Sequence, residues 1–145
     1  MKLTSKGRYA VMAMADLAKF NALQPTSLTE ISLRQGISIS FLEQIFFKLK
    51  RNNLVQSSRG PLGGYLLTKA PKEIKLSSII QAVDEKVKTV GCKKEAKKGC
   101  NGKLIKCITH NFWDELETHI NIFFEKNTLQ DIIFKFPKDK QKELN

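Results

Sequence analysis

The stretch SLTEISLRQGISISFLEQIFFKLKRNNLVQSSRGPLGGYLLT, residues 27–68, decides the fold. Ser27-Leu28-Thr29-Glu30 reads as a capping box, in which a serine and the glutamate three residues on exchange hydrogen bonds with the first free amides of a helix. That helix is short and ends at Gly36, a residue type that tolerates the left-handed conformation of a helix C-terminus. A second helix starts at Ser38 or Ser40 and runs to about Asn52, with Leu42, Ile45, Phe46 and Leu49 at core spacing. Ser40-Phe41-Leu42-Glu43 also fits a capping box, so Glu43 reads either as a cap or as a side chain that meets a ligand. Two short helices joined by a tight glycine-containing turn form a helix-turn-helix motif. Leu54-Val55-Gln56-Ser57 and Tyr65-Leu66-Leu67 follow as short strands around a turn-rich tip, 58–64, whose one cation is Arg59. A helix-turn-helix followed by a hairpin is a winged helix. Its tip would hold Arg59 where a narrow minor groove or a phosphate could meet it.

Upstream, Thr4 or Ser5 is expected to cap a first helix that runs to about Phe20. Ala10, Ala13, Met14, Leu17 and Ala18 form its apolar stripe, and Gln24-Pro25-Thr26 breaks it. Downstream, Leu76, Ile79, Ile80 and Val83 mark a fourth helix. Residues 88–108 form a loop rich in lysine and glycine that contains every cysteine. A long helix follows from about Thr109 to Lys126, striped by Phe112, Trp113, Leu116, Ile120, Phe123 and Phe124. Asp114, Glu115 and Glu117 near its start and Lys126 at its end suit the helix dipole. Thr128-Leu129-Gln130-Asp131 opens a last short helix with Ile132 and Ile133. The expected fold is mainly α with a small β-hairpin. Its parts are a winged helix-turn-helix over residues 1–83, a cysteine loop over 84–108, a long helix plus a short one over 109–136, and a polar tail over 137–145. The long helix carries more aromatics than a winged helix needs for its own core. It is read as a dimerisation helix, with packing back onto its own chain as the competing arrangement. A symmetric homodimer of winged helices reads two half-sites about one turn of DNA apart.

The 145 residues carry 25 Lys+Arg against 14 Asp+Glu, a net charge of +11, and 41% are hydrophobic. So much apolar content excludes a disordered chain, which places the charge on a folded surface suited to a polyanion. Residues 1–90 hold 14 basic and 6 acidic side chains, net +8, and residues 91–145 hold 11 and 8, net +3. Nucleic-acid contacts are therefore sought in the first part. The expected DNA set is Ser38, Ser40, Glu43 and Gln44 at the N-terminal part of the recognition helix, Lys48, Lys50 and Arg51 further along it, and Arg59 on the wing. Gln44 suits adenine, and Glu43 can accept from cytosine N4 while penalising other pairs. The three cations mainly suit phosphates. No apolar run approaches the roughly 18 residues of a membrane span. The run Tyr9 to Ala15 is closed by Asp16 and makes a poor signal peptide, so a cytoplasmic protein without membrane contact is expected. Catalysis is not expected: Ser57 and Ser58 have no histidine nearby in sequence, and no Gly-rich phosphate loop follows a strand.

Cys92, Cys100 and Cys107 form an odd set, which argues against a closed disulfide framework. Thiolates are the ligands of iron–sulfur chemistry, and imidazole can replace one of them. Cys107 and His110 are three apart at a helix start and share one face. His119, nine residues beyond His110, lies roughly 180° around that helix. Lys93, Lys94, Lys97, Lys98, Lys103 and Lys106 surround the thiols against one acid, Glu95, and cations favour thiolates over thiols. A structural zinc site remains a second reading, because Cys₃His is a known zinc set. A third is that the cysteines bind nothing.

Several local patterns occur together: Met1-Lys2-Leu3-Thr4-Ser5-Lys6-Gly7-Arg8-Tyr9-Ala10-Val11, Gln35-Gly36-Ile37-Ser38, Leu42-Glu43-Gln44, Arg59-Gly60-Pro61, Gly63-Gly64-Tyr65-Leu66-Leu67, Ala82-Val83-Asp84-Glu85, and Cys107-Ile108-Thr109-His110 followed by Trp113. With them the chain resembles the Rrf-two family of winged-helix repressors, and in particular its iron–sulfur cluster regulators. The resemblance implies a homodimeric transcription factor, mainly a repressor, on a palindromic double-stranded operator. It implies a bound 2Fe–2S cluster that governs promoter choice, with Cys92, Cys100, Cys107 and His110 as ligands. It further implies cluster-assembly genes as targets and the assembly machinery as cluster donor. The chain departs from the family pattern in two places. Seven residues separate Cys92 from Cys100 and six separate Cys100 from Cys107, longer intervals than the pattern carries, and Leu62 stands where the wing usually has glycine. The alternatives are a nitric-oxide- or iron-sensing relative with a 4Fe–4S cluster, and a cluster carrier that does not bind DNA.

Overall fold

Small side chains on one face let the first helix, α1 (Ser5–Phe20), lie deep in the core, with Gly7, Ala10, Ala13, Met14 and Leu17 buried. The computed structural model describes residues 4–20, 23–85 and 107–137. Thr4 stands at the cap position expected before α1, its carbonyl accepting from the Arg8 amide at 3.3 Å, and it has a further partner that the sequence did not show. The Thr4 amide donates to Glu85 Oε1 at 2.8 Å and its hydroxyl donates to Glu85 Oε2. A buried carboxylate 81 residues away therefore occupies Thr4. Asp16, also buried, faces α2 (Leu28–Gln35) and accepts from Arg34 Nε at 2.9 Å, Arg34 Nη2 at 2.7 Å and Gln35 Nε2 at 2.8 Å. This fork fixes the last turn of α2 against α1.

The capping box of α2 forms as its sequence implies: the Glu30 amide donates to Ser27 Oγ at 3.2 Å and the Ser27 amide to Glu30 Oε2 at 3.0 Å. Gly36 ends the helix at φ +68°, in the left-handed region. Helix α3 spans Ile39–Arg51, and Ser38 is its N-cap, accepting from the Phe41 amide at 3.3 Å. Ser40 already lies inside the helix, which removes the capping-box reading of Ser40 and Glu43. Leu42, Ile45, Phe46 and Leu49 are buried, as their spacing predicts.

Strands β1 (Val55–Ser58) and β2 (Gly64–Leu67) pair antiparallel, with Val55 opposite Leu67 and Ser58 opposite Gly64. Thr26 extends this small sheet: its amide donates to the Tyr65 carbonyl at 3.0 Å and its carbonyl accepts from the Tyr65 amide at 2.8 Å. The close approach requires glycine at position 64, where a Cβ would lie 2.3 Å from the Thr26 carbonyl carbon and oxygen. The Tyr65 ring packs on Phe46, with centroids 4.7 Å apart. The wing is thus tied to the start of α2 and to the underside of α3.

Beyond a single 3₁₀ turn (Pro71–Glu73), α4 (Leu76–Ala82) stops one residue before the buried Val83. Helices α5 (His110–Lys126) and α6 (Leu129–Phe134) complete the described chain. Thr128 and Asp131 form the capping box that opens α6. A short antiparallel bridge seats the pair: the Leu76 amide donates to the Asn127 carbonyl at 3.0 Å and the Leu129 amide to the Ile74 carbonyl at 2.8 Å. Leu129 is fully buried in the same cluster as α1, α3 and α4, with Phe124 and Ile132 packed against it. Glu125 at the end of α5 accepts from Lys75 Nζ at 2.6 Å and Ser77 Oγ at 2.7 Å. The remainder of α5 is different. None of its residues is fully buried against the described chain, and Phe112, Ile122 and Phe123 stand exposed. Its first turn holds no acid, so the dipole contribution expected of Asp114, Glu115 and Glu117 falls beyond the turn where it acts.

Candidate nucleic-acid interface and cysteine site

Burying one side of α3 leaves the other side to solvent. Ser38, Ser40, Glu43, Gln44, Lys50 and Arg51 are exposed, and Lys48 is half-buried. Ser40, Glu43, Gln44, Phe47 and Lys48 line one shallow concavity. Lys50 Nζ donates to Ser57 Oγ at 2.9 Å, which joins the helix to the wing strand. At the tip, Gly60 at φ +110° and the Gly63 amide, 2.9 Å from the Gly60 carbonyl, build the turn that carries exposed Arg59 and Leu62. Glycine is required at Gly63 as well, because a Cβ there would lie 2.4 Å from the Ser58 carbonyl oxygen. The face is therefore a polar helix flanked by cations, with a glycine-shaped wing beside it.

Lys48 has a partner that sequence reading missed. Its Nζ lies 3.1 Å from Asp84 Oδ2, in the turn after α4, where Asp84 adopts φ +57°. Hydrogen bonding and charge from Lys48 hold the Asp84 carboxyl below its ordinary pKa, helped by Lys6 and Arg51. Next to it, burial pushes the Glu85 carboxyl up, and the hydrogen bonds from Thr4 together with Lys6 outweigh this and leave it lowered. The consecutive acids of Ala82-Val83-Asp84-Glu85 thus clamp α3 and the start of α1. Their adjacency was the available signal, but their partners lie far away in sequence.

Of the four expected metal ligands, Cys92 and Cys100 lie outside the described residues. Cys107 and His110 are placed by one turn: the Cys107 carbonyl accepts from the His110 amide at 3.0 Å, and His110 is the first residue of α5. Cys107 is half-buried, with Sγ 3.8 Å from Thr109 Oγ1. The same hydroxyl accepts from Trp113 Nε1 at 3.1 Å, and Trp113 packs edge-on against Phe112 at 4.9 Å. Aromatic side chains thus brace the turn that presents the cysteine and the histidine. Among the described residues no three metal-ligating side chains come together. A thiol and an imidazole within one turn are compatible with a mixed sulfur–nitrogen metal site, which needs further thiolates from elsewhere.

A winged helix with a basic, polar recognition face defines a DNA-binding transcriptional regulator, and sequence comparison specifies the kind. The model of the Rrf2 family, described as an iron-dependent transcriptional regulator, matches residues 3–135, and the chain belongs to that family. The chain is 48% identical over 133 residues to the HTH-type transcriptional regulator IscR of Serratia proteamaculans, covering 92% of this chain and 79% of that protein. Its identity to IscR of Pectobacterium carotovorum is 47% over the same coverage. Among solved structures, T. potens IscR superposes with a TM-score of 0.75 at 29% identity, covering 100% of this chain and 97% of that one. CymR, the global cysteine regulator of B. subtilis, superposes equally well at 28% identity, covering 91% of this chain and 95% of its own. These relatives are regulators rather than enzymes, and the same holds for this chain. No helix of the described residues is long and apolar enough to cross a membrane.

Proposed function

We propose that the protein is a homodimeric regulator, mainly a repressor, whose choice of promoter is set by a 2Fe–2S cluster held by Cys92, Cys100, Cys107 and His110. The exposed face of α3 carries the DNA-binding half of this reading. Ser38, Ser40, Glu43 and Gln44 meet base edges, Lys48, Lys50 and Arg51 meet phosphates, and Arg59 meets the minor groove or a phosphate. Helix α5, largely uncovered by the described residues, supports the dimer, because its exposed phenylalanines suit burial against a second copy. Support for the cluster comes from the donor chemistry of the Cys107–His110 turn and from similarity to IscR. Bound, the cluster would supply an oxidation- and supply-sensitive tie among three cysteines and the start of α5. The operator is then palindromic, the targets include cluster-assembly genes, and the assembly machinery is the donor.

Anaerobic purification tests the reading through the visible absorption spectrum and the iron-to-sulfide ratio. Equal iron and sulfide at two per subunit is the expected result. Cys92→Ala, Cys100→Ala and Cys107→Ala should each abolish the absorption, keep the winged helix folded and lose only the cluster-dependent promoters. Four irons per subunit would favour the 4Fe–4S alternative. Stoichiometric zinc without sulfide, with DNA binding indifferent to cysteine loss, defeats the proposal.

A further inference from the structure

Phe47 is 62% exposed on α3 and lies outside the core formed by the described residues. At about 100° per residue, Phe47 points some 150° away from the middle of the buried face formed by Leu42, Ile45, Phe46 and Leu49. It lies instead in the concavity shared with Ser40, Glu43, Gln44 and Lys48. The Arg51 guanidinium, one turn on, sits 5.8 Å from the ring centroid, in cation–π range. A lone exposed phenylalanine needs no explanation. One centred on a face of cations and amide or carboxylate side chains, with its own arginine over the ring, is placed to meet a ligand both anionic and locally apolar. The net charge of +11 and the flanking Lys48, Lys50 and Arg51 make that ligand duplex DNA.

The major groove offers one apolar feature, the C5 methyl group of thymine. Gln44 precedes Phe47 by three residues, roughly 4.5 Å along the helix axis, slightly more than the rise of about 3.4 Å per base pair. We propose that Phe47 is a specificity-determining residue that reads a thymine methyl one or two base pairs from the base facing Gln44, with Arg51 holding the ring and neutralising a nearby phosphate. This rests on α3 being the DNA-reading helix and adds a fixed thymine to each half-site. Burying one methyl corresponds to roughly a fourfold change in affinity per half-site.

The experiment selects duplexes from a randomised pool with the full chain, wild type and Phe47→Ser in parallel. In the best wild-type duplex each thymine is then replaced by deoxyuridine, which removes only the methyl group. Wild type should select a fixed thymine in each half-site that the variant does not. Deoxyuridine there should weaken wild-type binding roughly fourfold per half-site and leave F47S unchanged. A cytosine at that position should gain affinity for wild type when methylated at C5. Specific binding with no sensitivity to any deoxyuridine, or the same thymine selected by F47S, overturns the assignment while leaving α3 as the reader. Unaltered thymine selection with a changed sedimentation coefficient for F47S would place Phe47 against a second copy and overturn it too. A wild type that retains no duplex refutes the DNA-reading role of α3 itself, and the thymine proposal falls with it.

Discussion

Replacing Asp84 by asparagine releases a cation on the helix proposed to read DNA without disturbing the backbone that carries the carboxylate. Asp84 stands at φ +57°, and asparagine shares with aspartate the short polar side chain that tolerates the left-handed region. Its Oδ2 is 3.1 Å from Lys48 Nζ. Because Lys48, by hydrogen bond and charge, holds that carboxyl below its ordinary pKa, the pair is intact across the neutral range where DNA binding is measured. The carboxylate side chain is 75% exposed and well screened, so its removal should hardly move stability. The effect falls on phosphate contacts. Each lysine that engages a phosphate contributes about 0.9 to the slope of log K against log salt. Asp84 competes with phosphate for Lys48, so with one Lys48 per subunit D84N should steepen that slope by at most about 0.9 per subunit. Between about 50 and 200 mM salt this amounts to at most a roughly 3.5-fold extra loss of affinity per subunit, starting from tighter binding at low salt. Fluorescence anisotropy of a labelled non-specific duplex over a salt series reads it directly. Parallel lines for wild type and D84N would show that Asp84 does not compete with phosphate for Lys48, and the argument would fail.

Arg59→Ala should cost about 1–3 kcal/mol of specific binding, read by titration of an operator duplex at moderate salt; unchanged affinity would return Arg59 to a solvated tip. Glu43→Ala should relax sequence selectivity in a pool selection without lowering the melting temperature, since Ser38 rather than Ser40 caps α3. Asp16→Ala removes three charge-assisted hydrogen bonds at a buried site while Arg34 stays partly hydrated. We expect a loss of about 2–3 kcal/mol and a fall in Tm of roughly 6–12 °C by calorimetry. The Glu85 carboxyl is lowered in the folded state, so its contribution is complete above the unfolded carboxyl pKa of about 4.3 and is lost as pH falls through the lower folded value. Urea unfolding between roughly pH 3 and 6 should therefore decline more steeply for wild type than for Glu85→Gln, and superimposable slopes would contradict the assignment.

What sequence made legible was local. The capping box at Ser27 and Glu30, the glycine end of α2, the buried set Leu42, Ile45, Phe46 and Leu49, and the hairpin around Arg59 all follow from contacts within a few residues. Composition and periodicity report those contacts. They do not report partners that only the folded chain brings together. Asp16 reads as the end of an apolar run, and its meaning comes from Arg34 and Gln35, 18 and 19 residues on. Thr4 reads as a helix cap and stands at that position, but the carboxylate that holds it, Glu85, lies 81 residues on. The second capping box in α3 failed for a physical reason: Ser38 had already supplied the cap, and a helix start takes one. The cysteine site was legible as chemistry, but only its Cys107–His110 half lies in the described residues.

Phe47 marks the boundary between these two kinds of information. Two adjacent phenylalanines, Phe46 and Phe47, look like a single apolar signal, yet at about 100° per residue Phe47 falls some 150° from the middle of the face that Leu42, Ile45 and Leu49 share with Phe46, so only Phe46 can face the core. Leu42, Ile45 and Leu49 settle which turns inward, and Phe46 is fully buried while Phe47 is not. The excess apolar group was thus countable from the spacing. Its chemical role was not, because that depends on Arg51 over the ring and on Gln44, Glu43 and Lys48 around it. An apolar residue rejected by the core costs little when isolated on a surface. Surrounded by the groups proposed to bind bases and phosphates, it would add to that surface the one contact its polar neighbours lack, a site for a methyl group.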